Sequence, residues 1–200
     1  MTEAPSPYSG LLQSKWRDKT VELVDAHPLG SEEIVEVVTL CWASIFQSKI
    51  GPKGFRIGKH LFPKPQIMGF FLHELIPLEF ESRYPGIWRG DAVAGEKDLV
   101  YVPDHSLSVE IKTSSHPSQI FGNRSYTQPA KSSKKTKTGY YLAINFQKLA
   151  ATTASPKVRR IRFGWLDHTD WIGQAAATGQ QARLNPVSEQ FKLLTLYPLE

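Results

Sequence analysis

Asp98, Glu110 and Lys112 have the residue types and spacing needed to hydrolyse a phosphodiester. Residues 98–102 and 107–113 are rich in β-branched and apolar side chains and read as two strands. Pro103, Asp104, His105 and Ser106 between them are turn chemistry. Side chains alternate along a strand, so Asp98 shares a face with Val100 and Val102, and Glu110 shares one with Ser108 and Lys112. An odd number of turn residues sets Asp98 directly across from Glu110. It also packs Leu99 and Tyr101 against Leu107, Val109 and Ile111 on a wholly apolar reverse face, and a one-residue slip scatters both sets.

Two carboxylates with Cβ atoms about 5 Å apart repel each other unless a positive charge lies between them. A hard divalent cation such as Mg²⁺, held by Asp98, Glu110, the backbone carbonyl of Ile111 and water, suits this arrangement. Lys112 projects on the same side about 7 Å further along the strand. An ammonium there can orient or deprotonate a water and stabilise charge on a phosphate. The competing reading is an ion pair on an exposed hairpin; Val100 and Val102 on the same face argue for a covered one.

The hairpin must be carried by the rest of the chain. Leu12, Trp16, Lys19, Leu23 and Val24 have the spacing of an amphipathic helix that His27, Pro28 and Gly30 end. A second helix is predicted from Ser31, as N-cap, to about Ser48, with Glu32 and Glu33 at the positive end of its dipole. Cys41, the single cysteine, falls among Ile34, Val38 and Ile45 and reads as core. A third helix starts at Pro65 and should end or kink at Pro77. Residues 113–138 have no periodicity, which is long for a structureless loop and points to function or to ordering on a partner. Strands are expected at 140–146, 158–166 and 191–197, and a helix at 170–184. The pattern is one α/β domain, a mixed central sheet flanked by helices, with residues 1–80 mostly helical and 96–200 carrying the catalytic sheet.

Two hundred residues with 40% hydrophobic and 22% charged content suit one globular domain. No apolar run is long enough to span a bilayer, and the N-terminus lacks the regions of a signal peptide, so a cytoplasmic protein with no membrane partner is expected. One cysteine excludes an intramolecular disulfide and a cysteine-based zinc site. The net charge of +5 is modest, but its distribution is informative. Lys131, Lys134, Lys135 and Lys137 form one basic run, and Lys157, Arg159, Arg160 and Arg162 another, as a polyanion-binding protein would have.

The acid on one strand followed by Glu110-Ile111-Lys112 on the next resembles the PD-(D/E)xK nuclease superfamily. A literal Pro103-Asp104 lies at the turn, too close to Glu110 for both acids to reach one metal from adjacent strands, so the family's Asp is assigned to Asp98. The superfamily often adds a helical glutamate; the resemblance implies Glu74, with Glu79 as fallback and His73 as a packed neighbour. More narrowly, the chain resembles the ScaI-like type II restriction endonucleases over about residues 8–198. The resemblance rests on Phe62-Pro-Lys-Pro-Gln-Ile-Met-Gly-Phe-Phe-Leu-His-Glu-Leu, Asp98-Leu-Val-Tyr, Glu110-Ile-Lys-Thr-Ser-Ser, Phe121-Gly-Asn-Arg-Ser-Tyr and Phe163-Gly-Trp-Leu-Asp-His-Thr-Asp-Trp-Ile-Gly-Gln. It implies a restriction-endonuclease-like fold and a homodimer that cuts a short palindrome in double-stranded DNA with Mg²⁺. It also implies a protective DNA methyltransferase in the host. A junction or repair nuclease of the same superfamily, or a DNA-binding module without catalysis, would share parts of this pattern.

On that reading, Arg124, Lys131, Lys134, Lys135 and Lys137 are candidates for phosphate contacts. Asn123, Arg124, Gln174, Gln180, Gln181 and Arg183 carry the paired donors and acceptors that read base edges. Trp165 and Trp171 read as core or interface, and Asp167 with His168 as a capped turn.

Overall fold

The structure, a computed structural model, describes residues 5–129, 136–152, 156–176 and 178–198. Three helices lead: α1 (Trp16–Asp25), α2 (Ser31–Gln47) and α3 (Pro65–Arg83). Then come β1 (Trp88–Gly90), β2 (Leu99–Tyr101), β3 (Val109–Ser114), β4 (Phe121–Asn123), β5 (Gly139–Phe146), β6 (Val158–Leu166), β7 (Trp171–Gly173) and β8 (Gln181–Leu184). A short α4 (Pro186–Phe191) and β9 (Leu193–Tyr197) close the chain. Among the described residues no helix is long and apolar enough to cross a membrane.

The strands form two sheets. Six lie in the order β1-β2-β3-β5-β6-β9, and three in the order β4-β8-β7. All pairs in the large sheet are antiparallel except β3 with β5. A parallel pair needs a long crossover. Here that crossover is the aperiodic segment after β3, and it carries β4 and a 3-10 turn at Arg124–Thr127. The segment is therefore a structural insertion that builds the second sheet with β7 and β8.

The two faces of the large sheet pack differently. Val109, Ile111, Leu142 and Ile144 join the helices' Ile34, Val38, Met68, Leu72 and Phe80 in the main core. Tyr141 and Ala143 on the other face join Ile120, Tyr126, Trp171, Ala182 and Leu184 of the crossover and small sheet. Glu110 is paired with Tyr141, and Lys112 with Ala143. Glu110 and Lys112 thus project towards the small sheet, with helices behind them.

Four expectations change. The N-cap of α2 is Gly30, and Ser31 is the first helical residue. α3 continues through Pro77 to Arg83. Pro77 forfeits one backbone hydrogen bond, but it is buried against Gly90 of β1. Beyond it, Phe80 is fully buried, worth about 1.5–3 kcal/mol, and Arg83 pairs with Glu79 and reaches Glu36 of α2. Residues 170–184 form β7 and β8 rather than a helix. Buried Ala182 and Leu184 alternate with exposed Gln181 and Arg183, a period-2 signal outweighed in the sequence by the helix-forming residues before it. Finally, the basic run on β6 is divided: Lys157 and Arg159 are exposed, but Arg162 is fully buried and paired.

Candidate active site

The candidate hairpin has the expected register. Leu99 pairs with Val109 in the antiparallel β2–β3 ladder, which sets Asp98 across from Glu110. Asp98 Oδ2 accepts a hydrogen bond from the Ile111 amide at 2.7 Å, clasping the two strands at the site. Asp104 is committed elsewhere: its carboxylate accepts from the Ser106 amide at 2.9 Å and caps the turn between the strands. Asp98, rather than Asp104, is the acid that the register sets beside Glu110. Val100 is buried as expected, whereas Val102 is exposed.

Several contacts fix this hairpin. Arg89 of β1 makes a two-pronged ion pair with Glu96, at 2.5 and 2.8 Å, and closes the loop that leads into Asp98. That pairing lowers the Glu96 carboxyl pKa to about 2. His27 accepts from the Leu29 amide at Nδ1, so Nε2 carries the proton and donates to the Leu107 carbonyl at 2.9 Å, just ahead of β3. Burial lowers its pKa to about 4. α3 lies close over the end of β3: a Cβ on Gly69 would sit 2.4 Å from Thr113 Oγ1. One helical turn after Gly69, His73 Nδ1 stands 3.6 Å from Asp98 Oδ2.

Glu110 is 2% exposed, and its Oε1 accepts from two donors, Lys112 Nζ at 2.6 Å and the Tyr126 hydroxyl at 2.5 Å. Lys112 Nζ also lies 3.3 Å from the Ile111 carbonyl and 4.7 Å from the centre of the Tyr126 ring. The carboxylate and the carbonyl therefore converge on one cationic group. With Asp98 bonded to the same stretch of β3, the donor set is all hard oxygen and fits a divalent cation of the Mg²⁺ or Ca²⁺ type. Burial first, and the Glu110 charge second, raise the Tyr126 hydroxyl pKa well above its ordinary value, so it remains a donor.

Glu74 is not gathered into this group. Its side chain lies on the exposed side of α3, and Glu79 is paired with Arg83 at the far end of that helix. No set of three His, Cys, Asp or Glu side chains converges for a metal among the described residues. The residue that α3 does bring to Asp98 is His73. Sequence reasoning set it aside, although Gly69 and His73 share one helical face at i, i+4.

A concavity of about 450 Å³ opens in front of Lys112. Tyr126, Asn123, Gln174, Gln180 and Gln181 line it as well, so four of the base-reading candidates share one cleft with Lys112. Arg124 lines a different role: its guanidinium donates to the carbonyls of Ala176 and Gly179, at 3.0 and 3.1 Å, and its amide donates to Gln180 O at 2.7 Å. It staples the 174–181 loop onto the crossover. Arg183 is exposed on β8, and Lys137 Nζ lies 4.3 Å from the Tyr126 ring centre. Lys131, Lys134 and Lys135 fall outside the described residues.

The small sheet is anchored by a buried polar clamp that the sequence did not reveal. Arg162 on β6 donates to Glu189 Oε1 (2.5 Å), Ser118 O (2.5 Å) and Asn145 Oδ1 (2.8 Å). Asn145 Nδ2 donates to the carbonyls of His116 and Gln119. Together they hold the start of the crossover against the large sheet. Asp167 and Asp170 form the expected capped turn and also ion-pair with buried Lys192. Trp171 is core, packed between Tyr126 and Tyr141, and Cys41 is buried among the α2 core residues.

A mixed sheet with paired carboxylates and a lysine on adjacent strands, opening onto an amide-lined cleft, is the build of a nuclease. The chain matches the ScaI restriction endonuclease family over residues 6–197 and belongs to it. It is similar to the type II restriction enzyme ScaI of Streptomyces caespitosus, with 49% identity over 195 residues, covering 96% of this chain and 85% of that protein. No solved structure matches the chain. The protein is accordingly an enzyme, a site-specific deoxyribonuclease that acts on double-stranded DNA.

Proposed function

We propose that the protein cuts both strands of a short palindromic DNA site with Mg²⁺, using Asp98, Glu110 and Lys112 as its catalytic centre. The observation that carries this reading is the convergence of the Glu110 carboxylate and the Ile111 carbonyl on the Lys112 ammonium, beside Asp98. Asp98, Glu110 and the Ile111 carbonyl would hold the cation. Bound Mg²⁺ supplies Lewis acidity and lowers the pKa of water. Lys112, half-enclosed by Glu110 and the Tyr126 ring, orients the attacking water and offers positive charge to the phosphate as its charge grows. The Asp98–Ile111 hydrogen bond keeps the two strands in register while this happens.

A twofold-symmetric homodimer would present two such centres to opposite strands of a symmetric sequence. Asn123, Gln174, Gln180 and Gln181 would read base edges beside the scissile phosphate, and Lys137 with Lys131, Lys134 and Lys135 would hold the backbone. Activity of this kind belongs in the cytoplasm with a methyltransferase that protects the same site. Digestion of a random-sequence plasmid library with Mg²⁺, followed by sequencing of the ends, tests the proposal. Ends that converge on one palindrome bear it out; cleavage at junctions or at scattered positions, or no cleavage, contradicts it.

A further inference from the structure

We propose that Tyr126 is a positioning residue that couples contacts in the base-reading cleft to the orientation of the Glu110 carboxylate. The inference rests on the nuclease reading of that site. A glutamate's terminal torsion is soft and broad, so a carboxylate must be held by its partners. Lys112 and Tyr126 both donate to Glu110 Oε1, and together they fix the plane of the group. Lys112 belongs to the same strand as Glu110; Tyr126 comes from the crossover, 16 residues away.

The Tyr126 ring has little freedom of its own. It is 5% exposed and lies 5.1 Å from the Trp171 ring. A Cβ on Gly122 of β4 would sit 3.0 Å from two of its atoms, so the ring lies directly on the strand. Its 3-10 turn begins immediately after Asn123, and Arg124 in that turn is bonded to Ala176, Gly179 and Gln180 of the loop between β7 and β8. Any ligand that shifts Asn123, Gln180 or Gln181 moves the platform on which Tyr126 stands. The hydroxyl conveys that shift to Glu110 through one hydrogen bond.

The test uses Tyr126→Phe, which keeps the ring, its packing and its place beneath Lys112, and removes only the hydroxyl. Single-turnover cleavage is measured with Mg²⁺ on duplexes bearing the recognition site and on duplexes with one wrong base pair. DNA binding in Ca²⁺ and Tm are measured in parallel. The expected result is a fall of about 10–100-fold in cleavage of the recognition site, binding within about threefold, and a smaller ratio of correct to incorrect cleavage. Trp171→Phe, which loosens the packing that holds the Tyr126 ring but keeps its hydroxyl, should narrow the same ratio by less than Tyr126→Phe does; an unchanged ratio overturns the coupling. Tyr126→Phe cleaving within twofold of the parent overturns the positioning role, and an equal fall on all duplexes overturns the coupling. Failure of the parent protein to cut at all would instead sink the nuclease reading, so the two failures are distinct.

Discussion

The hairpin of the large sheet and the three-stranded sheet opposite it are built on different plans. Asp98, Glu110 and Lys112 come from one hairpin whose register is set by its own apolar face and by the Asp98–Ile111 bond. The small sheet takes β4 from one crossover and β7 and β8 from a segment some fifty residues later. Its position depends on distant polar contacts, namely Arg162 and Asn145 at its root, Arg124 across its loop and Tyr126 at the edge facing Glu110. The hairpin's geometry is thus set by neighbours in the chain, whereas the small sheet's placement rests on contacts made far along it.

This contrast can be broken at several points. The largest effect belongs to Lys112→Ala, which should lower the cleavage rate on the order of 10³-fold while the folded protein still binds DNA in Ca²⁺; normal cleavage would move the catalytic centre elsewhere. Arg162→Ala should act oppositely, through stability. It leaves Asn145 and the Ser118 carbonyl without their buried donor while Glu189 can turn to solvent, and a cost of about 2–3 kcal/mol in urea unfolding is expected. A loss below about 1 kcal/mol would mean that the clamp does not hold the small sheet.

His27 sharpens the comparison from the catalytic side. Its folded pKa of about 4 lies below the unfolded value of 6.5, so the unfolded chain binds more protons between those pH values. Stability should therefore be complete above pH 6.5 and fall by about 3 kcal/mol as pH drops towards 4. His27→Gln should remove that part of the slope; an unchanged slope would assign it to other groups. The smallest effect is expected of Glu74→Gln, whose side chain is exposed on α3. Cleavage should change by less than about threefold, whereas a loss near that of Lys112→Ala would restore Glu74 to the site.

Much of the large sheet was legible because its signals are short-range. Alternation around Glu110, the apolar runs of β5 and β6 and the i, i+3, i+4 pattern of α2 each report on neighbours in the chain. The choice of Asp98 over Asp104 followed from strand register, and the structure has that register. The small sheet was not legible. β4 and β7 are three residues each, too short to show periodicity, and β8 follows a Gln- and Ala-rich stretch that reads as helix. Arg162 reads as surface charge because nothing nearby in sequence announces Glu189, Ser118 and Asn145. His73 and Tyr126 reach the site through packing between elements, which spacing along the chain does not encode.

The most direct test sets Asp98→Ala beside Asp104→Ala in one assay: Mg²⁺-dependent cleavage of plain linear duplex, with binding in Ca²⁺ as control. Both acids lie near Glu110 in sequence, and Asp104 follows the proline of the literal motif. With the register set by Leu99 and Val109, Asp98→Ala should bind DNA but cut on the order of 10³-fold more slowly, while Asp104→Ala should cut at close to the parent rate. Loss of cutting in Asp104→Ala with normal cutting in Asp98→Ala would contradict the choice of Asp98.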